Sequence, residues 1–300
     1  MKAIIVTGAT GKQGSSVIRN LISKDAPFEV LAVTRDVNSP SAQRLAKLSP
    51  KIKLIEGNLD QPVDIFENAR TASDHPLWGL FSVQVAIGNT SSEETQGKNL
   101  IDEAIRQNVK FLVYSSVDRG GDAVSFTNPT KIPHFVKKHN IEHHLVSAAK
   151  DTDTAWFILR PTAFYENLVP GFMGKVFTTA WSMTLKGKPL QLVATSDIGY
   201  LAAEAFVNHE KYQGTAVSLA GDELTYEDMA RIFKEKTGQS VPGTFRAVCS
   251  VLMAAMKDFG VMFRWFRDEG YQADIGDLRA KYPGLKDFGT WLETESEWKK

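Results

Sequence analysis

Ile4-Ile5-Val6-Thr7-Gly8-Ala9-Thr10-Gly11-Lys12-Gln13-Gly14 runs straight into Ser15 to Ser23, and the reading of this stretch decides the fold. Its first residues are a short apolar run, the pattern of a buried parallel strand. The glycines then arrive as Gly8-x-x-Gly11-x-x-Gly14, and Val17, Ile18, Leu21 and Ile22 repeat at helical spacing behind them. The glycines therefore sit where a strand turns into a helix, and that context carries more weight than the triplet alone. In a dinucleotide site Gly8 allows the tight turn, Gly11 lets the backbone approach a pyrophosphate and Gly14 lets the helix pack on the strand. The helix N-terminus offers N–H groups and a positive dipole end to phosphates. Thr10, Lys12 and Gln13 stand in the same loop and join the three glycines as candidate cofactor contacts. The bland alternative is an ordinary glycine-rich loop; strand, glycines and helix together favour the phosphate site.

Working outward, Phe28 to Thr34 reads as a second strand with Arg35 at its end. In a dinucleotide site this slot holds an acid when a ribose 2′-hydroxyl is bound. A guanidinium there can pair with a 2′-phosphate in bidentate fashion, so the slot favours NADP over NAD. Asp36, one residue on, would reverse that preference, and a solvated arginine at a strand end is the structural alternative. Ile52 to Glu56 is a third strand, and the Gly57-Asn58-Leu59-Asp60 loop after it borders the adenine pocket. Asn58 and Asp60 either hydrogen-bond the base or simply form the turn. Gly79 to Val85 makes a fourth strand, whose end at Val85 and Ala86 should pass the cofactor ribose. Glu93 to Asn108 has helical periodicity, and Lys110 to Ser116 is a fifth strand ending in two hydroxyls. Ligands of open α/β sheets bind beyond the C-terminal ends of the strands, which puts Ser115 and Ser116 near the site.

Asp118 to Thr130 is polar and reads as a loop; Pro133 then opens a helix that extends through Leu145. Ala155 to Arg160 is a sixth strand, ending in Pro161-Thr162-Ala163-Phe164-Tyr165-Glu166-Asn167-Leu168. Residues 168 to about 196 look irregular, with a helix across Phe172–Thr184; Asp197 caps a helix to Asn208, and Gly214–Ala220 is a short strand. Thr225-x-x-Asp228 resembles a capping box for a helix to Thr237. Residues 246–268 form an amphipathic stripe of Met, Phe and Trp, read as core or as a cover for substrate or partner. The fold class is α/β: a Rossmann, doubly wound parallel sheet in residues 1–155, with a smaller, mainly helical substrate or partner region in 156–300. The two are interleaved, because residues 197–220 return to the sheet.

Lys+Arg and Asp+Glu number 35 each, so the formal net charge is zero. That balance argues against broad nucleic-acid affinity, which needs a basic surface. Hydrophobic residues make up 43% of the chain, yet no run reaches a membrane span. Met1-Lys2-Ala3 enters the first strand at once, so no signal peptide is expected, and Cys249 as the one cysteine suits a reducing compartment. The expected location is the cytoplasm, with the nucleus as a second compartment. His139 and His143 stand one helical turn apart, but no acid-rich motif completes a ligand set, so no metal is expected.

Gly8-Ala-Thr-Gly-Lys-Gln-Gly14, Arg35 and Phe164-Tyr-Glu-Asn-Leu168 together resemble the NmrA-like family, an atypical branch of the short-chain dehydrogenase/reductases. The resemblance extends to Asp287-Phe-Gly-Thr-Trp-Leu292. It implies NADP held by the glycine loop and Arg35, with Pro161 to Phe164 lining the nicotinamide side and Asn167 carried over beside them. Short-chain dehydrogenases use a Tyr-x-x-x-Lys pair, in which Tyr donates a proton to the substrate and Lys holds the nicotinamide ribose. The matching segment here is His134-Phe135-Val136-Lys137-Lys138: the Lys is kept and the Tyr is not. Relatives without the Tyr act as cofactor-responsive binding proteins, and others in fungi are oxidoreductases of secondary metabolism. The resemblance thus implies an NADP(H)-binding redox sensor that acts on a regulatory protein partner. The alternative is an NADPH-dependent reductase of a small carbonyl or quinone-type substrate, with Lys138 and His134 or Tyr165 as catalysts. An imidazole can act as general acid or base, but two lysines beside His134 disfavour its charged form, which favours the binding role.

Overall fold

The computed structural model describes residues 1–85 and 93–298. The chain divides into two compact units, the first holding residues 1–116, 137–160 and 198–217, the second 117–136, 161–197 and 218–300. In chain order the first elements are β1 (Lys2–Val6), α1 (Lys12–Ser23), β2 (Phe28–Thr34), α2 (Pro40–Ala46), β3 (Ile52–Glu56), α3 (Pro62–Ala72), β4 (Leu77–Ser82), α4 (Glu93–Arg106) and β5 (Phe111–Ser115). Then come α5 (Asp122–Ser125), α6 (Pro133–Ala149), β6 (Ala155–Pro161), β7 (Ala163–Phe164), α7 (Phe172–Thr184), β8 (Leu190–Val193), α8 (Thr195–Val207) and α9 (His209–Tyr212). The last are β9 (Thr215–Leu219), β10 (Asp222–Leu224), α10 (Tyr226–Thr237), α11 (Arg246–Ala255), α12 (Lys257–Asp268), α13 (Ile275–Lys281) and α14 (Phe288–Thr294).

The sheet of the first unit has the order β3-β2-β1-β4-β5-β6-β9. The pairs β2–β3, β1–β2, β1–β4, β4–β5 and β5–β6 are all parallel. The order reverses at β1, so the crevice of a doubly wound sheet falls between the C-terminal ends of β1 and β4. β2 and β5 are buried along their whole length, which is why they read as mainly apolar runs rather than as strict alternation. Leu80, Leu112 and Ile158 from the sheet pack with Leu100, Ile101 and Ile141 from α4 and α6.

The second unit has its own three-stranded sheet, order β10-β8-β7, and its own aromatic core. Phe177 and Trp181 of α7, Phe263 of α12, Tyr165, Phe288 and Trp291 belong to that core. Thr225 caps α10, its Oγ1 accepting the Asp228 N–H at 3.1 Å, and Gly238 ends the helix in the left-handed region at φ +73°.

Several sequence expectations are corrected. β4 ends at Ser82 rather than Val85. Two further helices, α2 and α3, each open on a proline. The irregular stretch before residue 196 contains β8, whose Leu190 and Leu192 are buried. Asp197 is not a cap: α8 starts at Thr195, and the Asp197 carboxylate accepts from the Lys286 N–H and Nζ, each at 2.9 Å. Burial, the larger influence, raises the Asp197 pKa despite that lysine. The stripe over 246–268 breaks at Met256 into α11 and α12. No helix among the described residues is long and apolar enough to cross a membrane.

Candidate functional site

The loop between β1 and α1 turns at Gly8, whose φ of +59° lies in the left-handed region that glycine adopts at no steric cost. Gly11 is the N-cap of α1, and its own N–H donates to the Gly8 carbonyl at 2.9 Å. A Cβ at Gly14 would stand 2.7 Å from the Thr7 carbonyl oxygen and closer still to that of Gly8, so the helix packs backbone to backbone on the strand end. A Cβ at Gly11 would meet only the Gly8 oxygen, at 3.2 Å. Gly8, Thr10, Gly11 and Lys12 are exposed, which leaves the first turn of α1 open. An open helix N-terminus behind a glycine turn fits a diphosphate, since N–H groups and the dipole both favour negative charge.

Side chains tie this loop to the neighbouring strand ends. The Thr7 hydroxyl donates to the Phe81 carbonyl and accepts the Val83 N–H, both at 3.0 Å. Ser115, at the end of β5 and 1% exposed, donates its hydroxyl to Gln13 Oε1 at 2.6 Å. Arg35 follows β2 and is exposed. The Asp36 carboxylate beside it accepts the Asn38 N–H at 2.8 Å and so caps its own turn. Asn58 likewise accepts the Asp60 N–H at 3.1 Å, and Asp60 accepts from the Gln96 amide at 2.7 Å. Val85 is 62% exposed, and the expected contact at Ala86 lies outside the described residues.

Lys138, on α6, is buried with its Nζ 3.1 Å from Glu93 Oε1 and 3.5 Å from the Ser115 carbonyl. Neither oxygen of Glu93 takes a hydrogen bond of good geometry among the described residues. An ammonium held beside the C-terminal end of β5 can donate to the hydroxyl oxygens of a sugar. Gln84, 6% exposed and just past β4, donates to the Ser82 hydroxyl at 2.9 Å and leaves its Oε1 equally unsatisfied. Sequence reasoning missed Glu93 and Gln84. Glu93 reads there as an ordinary acid in a first helical turn, because its partner is brought to it by sheet order, not by spacing.

The remaining expected residues belong to the second unit. His134 is 6% exposed, with Nδ1 3.8 Å from the Asp258 carboxylate and its ring edge-on to Phe135 at 4.8 Å. Its charged neighbours therefore include an acid on α12 that the local reading, with lysines alone, left out. Pro161 is buried and ends β6, Phe164 is half-buried in β7, and Asn167 is half-buried in the 3-10 turn Tyr165–Asn167.

Tyr165, the other candidate proton donor, lies in the core of the second unit. It is wholly buried, donates to the Lys286 carbonyl at 3.3 Å, and lies against Phe288 and Trp291 at ring distances of 5.6 and 5.4 Å. Burial, with the Asp222 and Asp197 carboxylates behind it, pushes its phenol pKa well up; burial does the same for Tyr271. A group raised in the folded state adds stability below its unfolded value, near 10, and that stability is lost as pH rises further. At least two of the seven tyrosines should therefore stay protonated in alkali until the fold is lost, in an ultraviolet titration. Seven smooth ionisations near pH 10 with the circular dichroism intact would contradict this placement.

The His139 and His143 rings lie 4.3 Å apart, tilted by 43°, and His144 Nε2 pairs with Asp102 at 2.6 Å. Among the described residues no group of three or more His, Cys, Asp or Glu could hold a metal ion.

The class defined here is a Rossmann-type α/β protein with a glycine turn at the reversal point of its sheet. The model of the NmrA-like family matches residues 1–291, and the chain belongs to that family. An NmrA-like family domain-containing oxidoreductase of Penicillium ochrochloron is 28% identical over 79% of this chain and 74% of its own length. The Citrobacter sp. triphenylmethane reductase complexed with NADP(H) superposes with a TM-score of 0.73 at 17% identity, covering 97% of this chain and 99% of that one. NmrA, a negative transcriptional regulator, in complex with NADP, superposes with a TM-score of 0.68 at 16% identity, covering 98% and 95%. At such identities the two structures establish a shared fold.

Proposed function

We propose that this protein binds NADP(H) and acts as a cofactor-responsive NmrA-type binding protein, conveying cofactor redox state to a regulatory protein partner. The observation that carries this reading is the fate of the two candidate proton donors. His134 replaces the dehydrogenase tyrosine and is buried against Phe135 and Asp258, while Tyr165 is sealed in the aromatic core. A general acid must reach the substrate atom it protonates, and Tyr165 is closed off from any substrate. Lys138 and the glycine turn support cofactor binding whether or not chemistry follows.

The NADP preference rests on Arg35, exposed at the end of β2, with the Asp36 carboxylate turned to its own loop. A charge-assisted pair to a 2′-phosphate contributes about 1.5–3 kcal/mol, or roughly tenfold to a hundredfold in affinity. Arg35→Ala should lose that much for NADPH in calorimetry and change little for NADH. Equal affinities for NADPH and NADH in the unaltered protein would sink the preference.

A second reading is an NADPH-dependent reductase of a quinone-type acceptor. It is favoured by the oxidoreductase relative and by the triphenylmethane reductase that shares the fold. Hydride transfer to such an acceptor gives an anion stabilised by conjugation, so a protein acid is not required. Single-turnover mixing of the NADPH-loaded protein with carbonyl and quinone panels separates the readings. No oxidation above the buffer rate is the expected result. Substrate-dependent oxidation establishes the reductase, and its loss in His134→Ala with affinity unchanged would make His134 the acid.

A further inference from the structure

The resemblance gives Lys138 a role but gives none to Glu93, its ion-pair partner between α4 and α6. Lys138 and Glu93 side chains are 9% and 0% exposed, with Nζ 3.1 Å from Oε1. Placing two charges out of water costs several kcal/mol per ion in general, so such a pair persists only with good geometry or for specificity. The ammonium is further located by the Ser115 carbonyl at 3.5 Å and by the Tyr114 ring at 5.9 Å. Ser115 in turn holds Gln13 on the glycine-loop helix at 2.6 Å. The carboxylate, by contrast, takes no hydrogen bond among the described residues, so its one polar contact there is the ammonium.

Resting on the cofactor-binding reading above, we propose that Glu93 is a positioning residue for Lys138. It fixes the ammonium at the C-terminal end of β5 and thereby sets affinity for the nicotinamide half of NADP(H). Without the carboxylate, a lysine has four rotatable carbons and no partner charge to choose one rotamer. Preorganisation of a long side chain before ligand arrives removes an ordering cost from binding. The glycine turn and Arg35, which face phosphates, do not depend on this pair.

The test is a set of titrations with NADPH and with adenosine 2′,5′-bisphosphate, which has no nicotinamide half. Glu93→Gln should weaken NADPH about tenfold and leave the bisphosphate unchanged. Glu93→Asp, which keeps the charge, should recover most of the loss. In the double variant with Lys138→Met, Glu93→Gln should add no further loss, because both act through one ammonium. The double variant also removes both buried charges and so serves if Glu93→Gln alone fails to fold. NADPH affinity unchanged or tighter in Glu93→Gln overturns the proposal, as does equal loss for both ligands or losses that multiply in the double variant. Failure of the unaltered protein to bind either ligand overturns the cofactor reading itself and this proposal with it.

Discussion

Gly14→Ala should abolish NADP(H) binding and lower the melting temperature by about 5–10 °C. A single methyl at this position would stand 2.7 Å from the Thr7 carbonyl oxygen and 2.6 Å from the Gly8 carbonyl carbon. Both are backbone atoms of the glycine turn, so neither can rotate aside. Either α1 lifts from the end of β1 or the turn opens. Overpacking of this kind costs about 1–3 kcal/mol, and more where the backbone itself must move. Gly11→Val is the contrasting control. The Cβ at Gly11 meets a single oxygen at 3.2 Å, so the fold should survive while the branched side chain stands in the path of the diphosphate. Calorimetry with NADPH and a thermal melt on both variants check the pair. Full-strength binding by Gly14→Ala would mean that this loop is not the phosphate site.

That contrast shows which parts of the molecule are legible locally. Gly8, Gly11 and Gly14 are placed by a chemistry that acts within a few residues: a positive φ, an open helix end and a close backbone approach. The strands are legible for a similar reason, since β1, β2 and β5 are largely buried on both faces and read as mainly apolar runs. β8 was missed because its four residues lie between a helix and a helix with no flanking alternation. Met256 breaks α11 from α12 at a ψ of 82°, which no proline or glycine announces.

The site is less legible than the fold, for a different physical reason. Lys138 could be singled out by its spacing from His134, but Glu93 could not. The sheet order that brings α4 and α6 together also supplies the charge that meets the lysine. Likewise the local sequence around His134 shows two lysines, whereas tertiary packing brings Asp258 to 3.8 Å. Tyr165 is the plainest case. Its motif marks the family, yet the side chain is spent on packing against Phe288 and Trp291.

Glu142→Ala should destabilise the protein by about 3–5 kcal/mol and take NADP(H) affinity down with it. Glu142 lies one helical turn beyond Lys138 on α6 and is wholly buried. Its carboxylate receives Arg160 at the end of β6, with Nη2 to Oε2 at 2.8 Å, and also the Ser116 hydroxyl just past β5. Arg160 is itself 2% exposed. Truncating the acid leaves a guanidinium buried without its counter-charge and a hydroxyl without its acceptor, and α6 loses its fastening to two strand ends. Lys138 rides on that helix, so the ammonium that Glu93 and Ser115 locate should drift as well. Glu142→Gln should be milder, since an amide still accepts from Ser116 and Arg160 but carries no charge. Denaturant melts rank the three proteins, and NADPH titration below the transition separates loss of fold from loss of site. A Glu142→Ala protein as stable as the parent and with unchanged NADPH affinity would show that the pair is an ornament of the interior. A stable variant with weakened NADPH binding would show instead that its main work is to hold α6 in register with the strands.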